Sequence, residues 1–260
     1  MGFSDCNLAG VAVLVTRAAH QAQGLCNLIG ELRGRPIHFP AIEISAPAQT
    51  EQLHELLAHI ETFDMAVFVS ANAVKWGLNC LPEGRLPERM KIAAVGLATA
   101  QALAESGQLA SVVPEQGCDS EALLAAAEMS AQAVAGKRVL IFRGQGGRAL
   151  LGDTLTRRGA LVDYAEVYRR SCPQPTGDLS QTSWIGDLDV ITATSNSILD
   201  NLFLLFGETQ GERLLETPLI VISERMREHA HGLGCRHVIL ATGPDDRSIV
   251  AAICRWIAHR

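Results

Sequence analysis

An α/β fold built on parallel sheets is what this 260-residue sequence predicts, and three observations carry the prediction. Short apolar runs of strand length alternate along the chain with segments of helical period. The second half repeats the order of the first at a displacement of roughly 126 residues. Apolar residues make up 48% of the chain and charged ones only 19%, enough to bury strands on both faces.

The elements follow in order. Val11–Thr16 reads as a buried strand, and Ala18–Arg33 as the helix after it, stopped at Gly34. Asp64–Ser70 is strand-like and Ala71–Asn79 helical. Lys91–Val95 leads through Gly96 into a helix ending near Gly107, and Ser111–Val113 is a short strand closed by Pro114. A helix over about Asp119–Met129 precedes Gly136. The second half then gives strand Lys137–Phe142, helix Gln145–Arg158, strand Leu188–Thr192 and helix Ile198–Phe206. Strand Leu219–Ile222, helix Glu224–Leu233, strand His237–Leu240 and a helix from Asp246 complete it.

Four pairs of positions mark the repeat: Arg17 and Arg143 after strands, Ser70 and Ser195 opening helices, Gly107 and Gly234 closing them, Asp119 and Asp246 starting the last helix of each half. A segment rich in Pro and Thr, Cys172–Ser183, reads as a linker, and a quieter break lies at Phe39–Pro47. A chain that crosses at both breaks makes one lobe discontinuous in sequence.

Composition excludes several classes. Twenty-two basic against 28 acidic residues leave a net charge of −6, and aromatics are only 5%, so neither a basic nucleic-acid patch nor a base-stacking platform is expected. The seven cysteines are scattered and contain no CxxC, which points to a reducing compartment without a disulfide framework or zinc ribbon. No apolar run is long enough to span a bilayer and the N-terminus has no signal-peptide pattern, so a cytoplasmic protein is expected. The eight histidines form no H-E-x-x-H, and no P-loop or G-x-S-x-G occurs, so no metal is implied.

The sharpest local signal is Arg143-Gly144-Gln145-Gly146-Gly147-Arg148-Ala149, between a strand and a helix. It matches G-x-G-x-x-A with Asp163 about 20 residues on, and is open to three readings: a dinucleotide site, another anion site, or a structural turn. Arg17 sits at the equivalent strand end, where it either forks a carboxylate or phosphate or pairs with a neighbouring acid. Ser70-Ala71-Asn72, Gly96-Leu97-Ala98-Thr99, Ser195-Asn196-Ser197 and Ser223-Glu224-Arg225 open helices at four more junctions. Singly these are N-caps; together, at one end of two sheets, they line a cleft suited to a poly-carboxylate. Tyr168, one of only two tyrosines, lies beside Arg169 and Arg170 and reads either as a proton donor or anchor, or as a half-buried strand residue.

These residues resemble the bacterial uroporphyrinogen-III synthase family over almost the whole chain. The resemblance rests on Val13–Arg17, Phe39–Glu43, Val69–Val74, Ala94–Ala100, Arg143–Arg148 through Gly152–Leu155 to Arg158–Ala160, Val167-Tyr168 and Thr194–Ser197. It implies two flavodoxin-like lobes with parallel sheets, joined by a two-stranded ladder: residues 1–38 with 172–260, and 42–168, with crossovers near 39–41 and 169–171. It implies cofactor-free cyclisation of hydroxymethylbilane to uroporphyrinogen III, with loss of water and inversion of ring D through a spiro intermediate. Spontaneous closure gives the unrearranged isomer, so positioning is the larger contribution and one acid assists hydroxide loss. By the resemblance Tyr168 is that acid. Arg17, Ser70, Gly96, Thr99, Arg143, Gly144, Gly146, Ser195, Ser197 and Ser223 then fall at the substrate-binding junctions. The partner implied is a small molecule, received by transient handover from hydroxymethylbilane synthase, by a monomer without nucleic acid or membrane. One junction departs: relatives read Ile-Gly-x-x-Thr-Ala where this chain has Ile222-Ser223-Glu224-Arg225-Met226-Arg227, which puts an acid where an anion would bind.

Overall fold

The computed structural model describes residues 6–47, 50–115, 117, 119–174 and 183–259. In chain order the first elements are β1 (Ala12–Val15), α1 (Ala19–Glu31), β2 (Arg35–His38), β3 (Glu43–Ser45), α2 (Thr50–Ala58), β4 (Met65–Phe68) and α3 (Ala71–Asn79). Next come β5 (Lys91–Ala94), α4 (Leu97–Glu105), α5 (Ser120–Leu124), α6 (Ala131–Val134), β6 (Arg138–Gly144), α7 (Leu150–Arg157) and β7 (Leu161–Ser171). The last are β8 (Val190–Thr192), α8 (Asn196–Glu216), β9 (Leu219–Val221), α9 (Glu224–Gly232), β10 (Val238–Leu240) and α10 (Asp246–Ala258). The chain divides into two compact units, Met1–Glu43 with Ser171–Arg260, and Ile44–Arg170.

The first unit holds a sheet in the order β10-β9-β8-β1-β2, with its strand pairs parallel. Central strands such as β1 (AVLV) are buried at every residue, because parallel strands covered on both faces have no solvent side. One face packs Val13, Val15, Val190 and Ile220 against Leu25 and Ile29 of α1 and Ile249, Val250 and Ile253 of α10. Each such side chain contributes about 1.5–3 kcal/mol on burial. The disulfide Cys6–Cys254, Cα atoms 5.8 Å apart, ties the segment before β1 to α10. The sequence predicts no disulfide framework, and one pair is bonded; Cys26, Cys80, Cys172 and Cys235 are free, and Cys118 lies outside the described residues.

The second unit holds a sheet in the order β3-β7-β6-β4-β5, with β7, β6, β4 and β5 parallel. Phe68, Leu140, Phe142 and Tyr168 face one core with Leu53, Leu57, Val74, Leu78 and Leu103. Val67, Val139 and Ile141 face the other, with Leu123, Leu151 and Leu155. Val112 adds a single parallel bridge to Ala93 outside β5.

The repeat in the sequence is a repeat in topology. Val112-β5-β4-β6-β7 occupies the same spatial order as β10-β9-β8-β1-β2; numbered along the chain, the first unit has the flavodoxin-like order 2-1-3-4-5, and the second, entered at β4, reads 3-2-1-4-5, a circular permutation of it. The registers agree residue by residue: Ala12 stands opposite Arg35 as Arg138 stands opposite Leu161, and Ile239 opposite Ile220 as Val112 stands opposite Ala93. An aspartate clamp recurs as well. Asp189 accepts from the Ala12 amide (3.0 Å) while its own amide donates to Ala12 O. Asp64 does the same with the Arg138 amide (2.9 Å) and Arg138 O. Each clamp fixes the amino end of the pair where strand order reverses, β1/β8 and β4/β6.

Several elements differ from expectation for identifiable reasons. The strands β2 (RPIH) and β3 (EIS) are sheet edges, where Pro36 and polar residues are tolerated and no apolar run forms. The helix expected over Asp119–Met129 breaks after Leu124, and the Arg158 guanidinium takes the Leu124 and Met129 carbonyls (2.8 and 2.5 Å). The helix α7 begins at Leu150, not Gln145. The expected linker falls, over residues 175–182, outside the described residues.

The Arg138 amide above all holds the Asp64 carboxyl below its ordinary range; burial opposes it, and the Lys137 ammonium assists. A depressed folded value means that the stabilisation is present above the unfolded pKa and is lost as pH falls through the folded one. We expect Asp64→Asn to cost less than about 1 kcal/mol at neutral pH, since the clamp is solvent-screened. Urea titrations carried from neutral pH down through the acid range should show that difference shrinking once pH falls below the ordinary carboxylate range.

Candidate active site

In an open α/β sheet the ligand crevice lies outside the carboxyl ends of the strands where their order reverses. In the first unit that place is marked by Arg17 after β1 and Ser195 after β8, with Ser197 in the first turn of α8 and Ser223 after β9. In the second it is marked by Ser70 after β4 and Arg143-Gly144 at the end of β6, with Gly96 and Thr99 after β5 and Tyr168 in β7. All the residues singled out from the sequence thus stand at carboxyl rims, split between the two units.

The serines spend one interaction on the helices they open. Ser70, Ser195 and Ser223 each accept from the amide three residues on, that of Ala73 (3.1 Å), Ile198 (3.2 Å) and Met226 (3.3 Å). Ser70, Ser195 and Ser223 stay partly exposed, and Ser197 is exposed. Helix α4 is opened by Gly96, which has no side chain to cap it, and Thr99 is buried in its first turn. Glu224, the acid of the divergent junction, is paired with Arg227.

The two arginines are already engaged. Arg17 is ion-paired with Asp246 and donates to Pro244 O (2.9 Å). Arg143 donates to Glu166 Oε1 through Nε and Nη2 (3.1 and 2.8 Å) and to Gly147 O (3.2 Å), and lies 3.8 Å from the Tyr164 ring centre. Of the two sequence readings of Arg17, pairing with a neighbouring acid is the one found, and Arg143 is held in the same way. With Pro47, Leu53, Leu56, Gln145 and Tyr164, Arg143 lines a cavity of about 440 Å³.

Packing accounts for the shape of the glycine turn. A Cβ on Gly144 would stand 2.6 Å from the Tyr168 ring, and Gly146 has φ +70° with open space around it. The first glycine of G-x-G-x-x-A therefore makes room for a ring, and Arg143 occupies the turn's carbonyl. No dinucleotide fingerprint is needed to account for it. A Cβ on Gly152, in α7, would likewise overlap the Tyr164 hydroxyl.

Tyr168 departs most from its sequence reading as a half-buried strand residue, for it is fully buried. The cause is a bulge in β7: Arg143 pairs with Glu166 but Gly144 pairs with Tyr168, so Val167 is skipped. Alternation breaks there, and Val167 and Tyr168 both enter the same core. The phenol oxygen lies 3.3 Å from Ser70 Oγ and accepts from Arg170 Nη2 at 2.7 Å. Arg169 goes instead to Ser45 Oγ (2.9 Å). Arg170 is the rim residue whose role the sequence left unassigned; its signal was adjacency to the phenol.

We expect Gly144→Ala to destabilise the protein by about 1–3 kcal/mol through overpacking against a buried ring, measurable by urea unfolding. Gly146→Ala has room for its methyl and should cost only the left-handed backbone strain of about 1–2 kcal/mol.

The family described as Uroporphyrinogen-III synthase HemD matches residues 24–251. The chain is similar to the uroporphyrinogen-III synthase of Escherichia coli (strain K12), 33% identical over 250 residues, covering 94% of this chain and 100% of that protein. It is 32% identical over 247 residues to the Salmonella typhimurium enzyme, with the same coverage. In fold it is similar to a solved structure of uroporphyrinogen III synthase from Thermus thermophilus (a mutant form; TM-score 0.61, 16% identity, 96% of this chain and 100% of that one). The corresponding protein of Helicobacter pylori 26695 gives TM-score 0.61 at 17% identity, over 96% and 99%.

Proposed function

The chain belongs to the uroporphyrinogen-III synthase family, and from that premise we propose that the carboxyl rims of its two sheets bind and fold the substrate. The enzyme cyclises hydroxymethylbilane to uroporphyrinogen III in tetrapyrrole biosynthesis, inverting ring D and releasing water. The substrate's eight carboxylates ask for many donors. In this reading they are met by first-turn amides and hydroxyls at Ser70, Gly96, Thr99, Ser195, Ser197 and Ser223. Arg17 and Arg143, held by Asp246 and Glu166, shape the rims they stand on, and Gly144 and Gly146 set the turn above Tyr168. Tyr168 is the source of the proton that accompanies hydroxide loss.

The observation that supports this reading is topological: these residues, chosen from sequence, all stand at the strand ends where open α/β sheets take ligands. Dehydration with ring closure changes no oxidation level, so the reaction calls for no cofactor. We read the protein as a cytoplasmic monomer that takes its substrate directly from hydroxymethylbilane synthase, since free substrate closes to the unrearranged isomer. Among the described residues no helix is long and apolar enough to cross a membrane.

Purified protein incubated with enzymatically generated hydroxymethylbilane should give the type III isomer after oxidation and chromatography. Type I isomer forming at the spontaneous rate would overturn the assignment. The rim reading has its own test. Ser197→Glu places a like charge on an exposed rim position, worth ~1 kcal/mol near 4 Å in water, and should raise KM about fivefold while leaving thermal stability unchanged.

A further inference from the structure

We propose that Tyr168 does not meet the substrate and that its proton reaches the substrate through Ser70, with Arg170 setting the direction of the relay. The inference deepens the rim reading above and rests on it.

Three facts of geometry carry it. Tyr168 is 0% exposed, so its phenol has no direct path to a ligand. Arg170 Nη2 donates to the phenol oxygen at 2.7 Å, and a guanidinium has no acceptor to offer in return. The phenol's own hydrogen must therefore go elsewhere. Ser70 Oγ, at 3.3 Å, is the acceptor within reach among the described residues, and a buried hydroxyl left without one is costly. Ser70 Oγ also accepts from the Ala73 amide at 3.1 Å. With both lone pairs committed, its own hydrogen is turned away from the core, on a residue that is partly exposed at the rim. The order of donation is Arg170 to Tyr168, Tyr168 to Ser70, and Ser70 outward.

The chemical step balances along this path. As the carbon–oxygen bond of the hydroxymethyl group breaks, its electron pair goes to oxygen. Ser70 gives that oxygen its proton and water leaves. Tyr168 reprotonates Ser70 Oγ, and the Arg170 guanidinium faces the phenolate oxygen. The proton released from carbon when the macrocycle closes and its last pyrrole regains aromaticity returns by the same route. Ser70 is then the catalytic residue, and Tyr168 and Arg170 act through it.

A double-mutant cycle on the full-length enzyme tests the relay, with kcat, KM and urea stability measured for each variant. Ser70→Asn keeps an N-cap but supplies no hydroxyl; Ser70→Thr keeps both. We expect Tyr168→Phe to lower kcat about 100-fold with KM little changed, and Ser70→Asn to lower kcat by a similar factor with a modest rise in KM from the lost rim hydroxyl. The double variant should be no slower than the slower single one, because both changes cut one chain. Ser70→Thr should recover turnover, and Arg170→Lys should retain more of it than Arg170→Met. Losses that multiply in the double variant, to about 10⁴-fold, would overturn the relay. So would full turnover in Ser70→Asn while Tyr168→Phe is slow, which leaves the rim reading standing. Wild-type kcat and KM in all the variants, with type III product still formed, would remove both.

Discussion

The contact between the bare Cα of Gly144 and the ring of Tyr168 governs the rim of the second unit. The β7 bulge turns the ring inward, and only glycine leaves room for it at the end of β6. Once the ring is sealed there, its oxygen has two hydrogen-bond partners among the described residues, a guanidinium that can only donate and the hydroxyl that caps α3. The position of an N-cap serine, ordinarily a matter of helix stability, thereby becomes a matter of where a proton can go.

The same frame is built twice. Each unit reverses strand order beside an aspartate that clamps the amide of the neighbouring strand, and each carries an arginine and a capping serine at the opposite ends of those strands. The registers are equal along the body of the strands, and the rims diverge where β7 bulges opposite Gly144 and β2 does not. The strands meet through the stacked Phe68 and Phe142 rings in one unit. In the other, Thr16 donates to Thr192 O and Thr192 to Leu14 O. A buried phenol with a guanidinium partner belongs to one rim alone among the described residues.

The central strands were legible because burial on both faces leaves a continuous apolar run, as in Val13–Val15 and Val139–Phe142. The duplication was legible because it preserves Arg17/Arg143 and Ser70/Ser195. The edges β2 and β3 were not, since an edge needs no such run and accepts Pro36 and Glu43. Side-chain partners were not legible either. Arg17 and Arg143 looked equally suited to a ligand or to an acid, and only the fold brings Asp246 and Glu166 to them. Tyr168 was found for its company, but a strand pattern of period two could not foresee that a skipped residue would bury it.

The claim on which the account depends is that the carboxyl rims receive the tetrapyrrole. Amide chemical shifts followed under anaerobic titration with uroporphyrinogen III test it directly. Perturbations gathered on residues 70–73, 96–99, 195–198 and 223–226 are the predicted result. Perturbations gathered at the amino ends of the strands, around Asp64 and Asp189, with those rims silent, would contradict it.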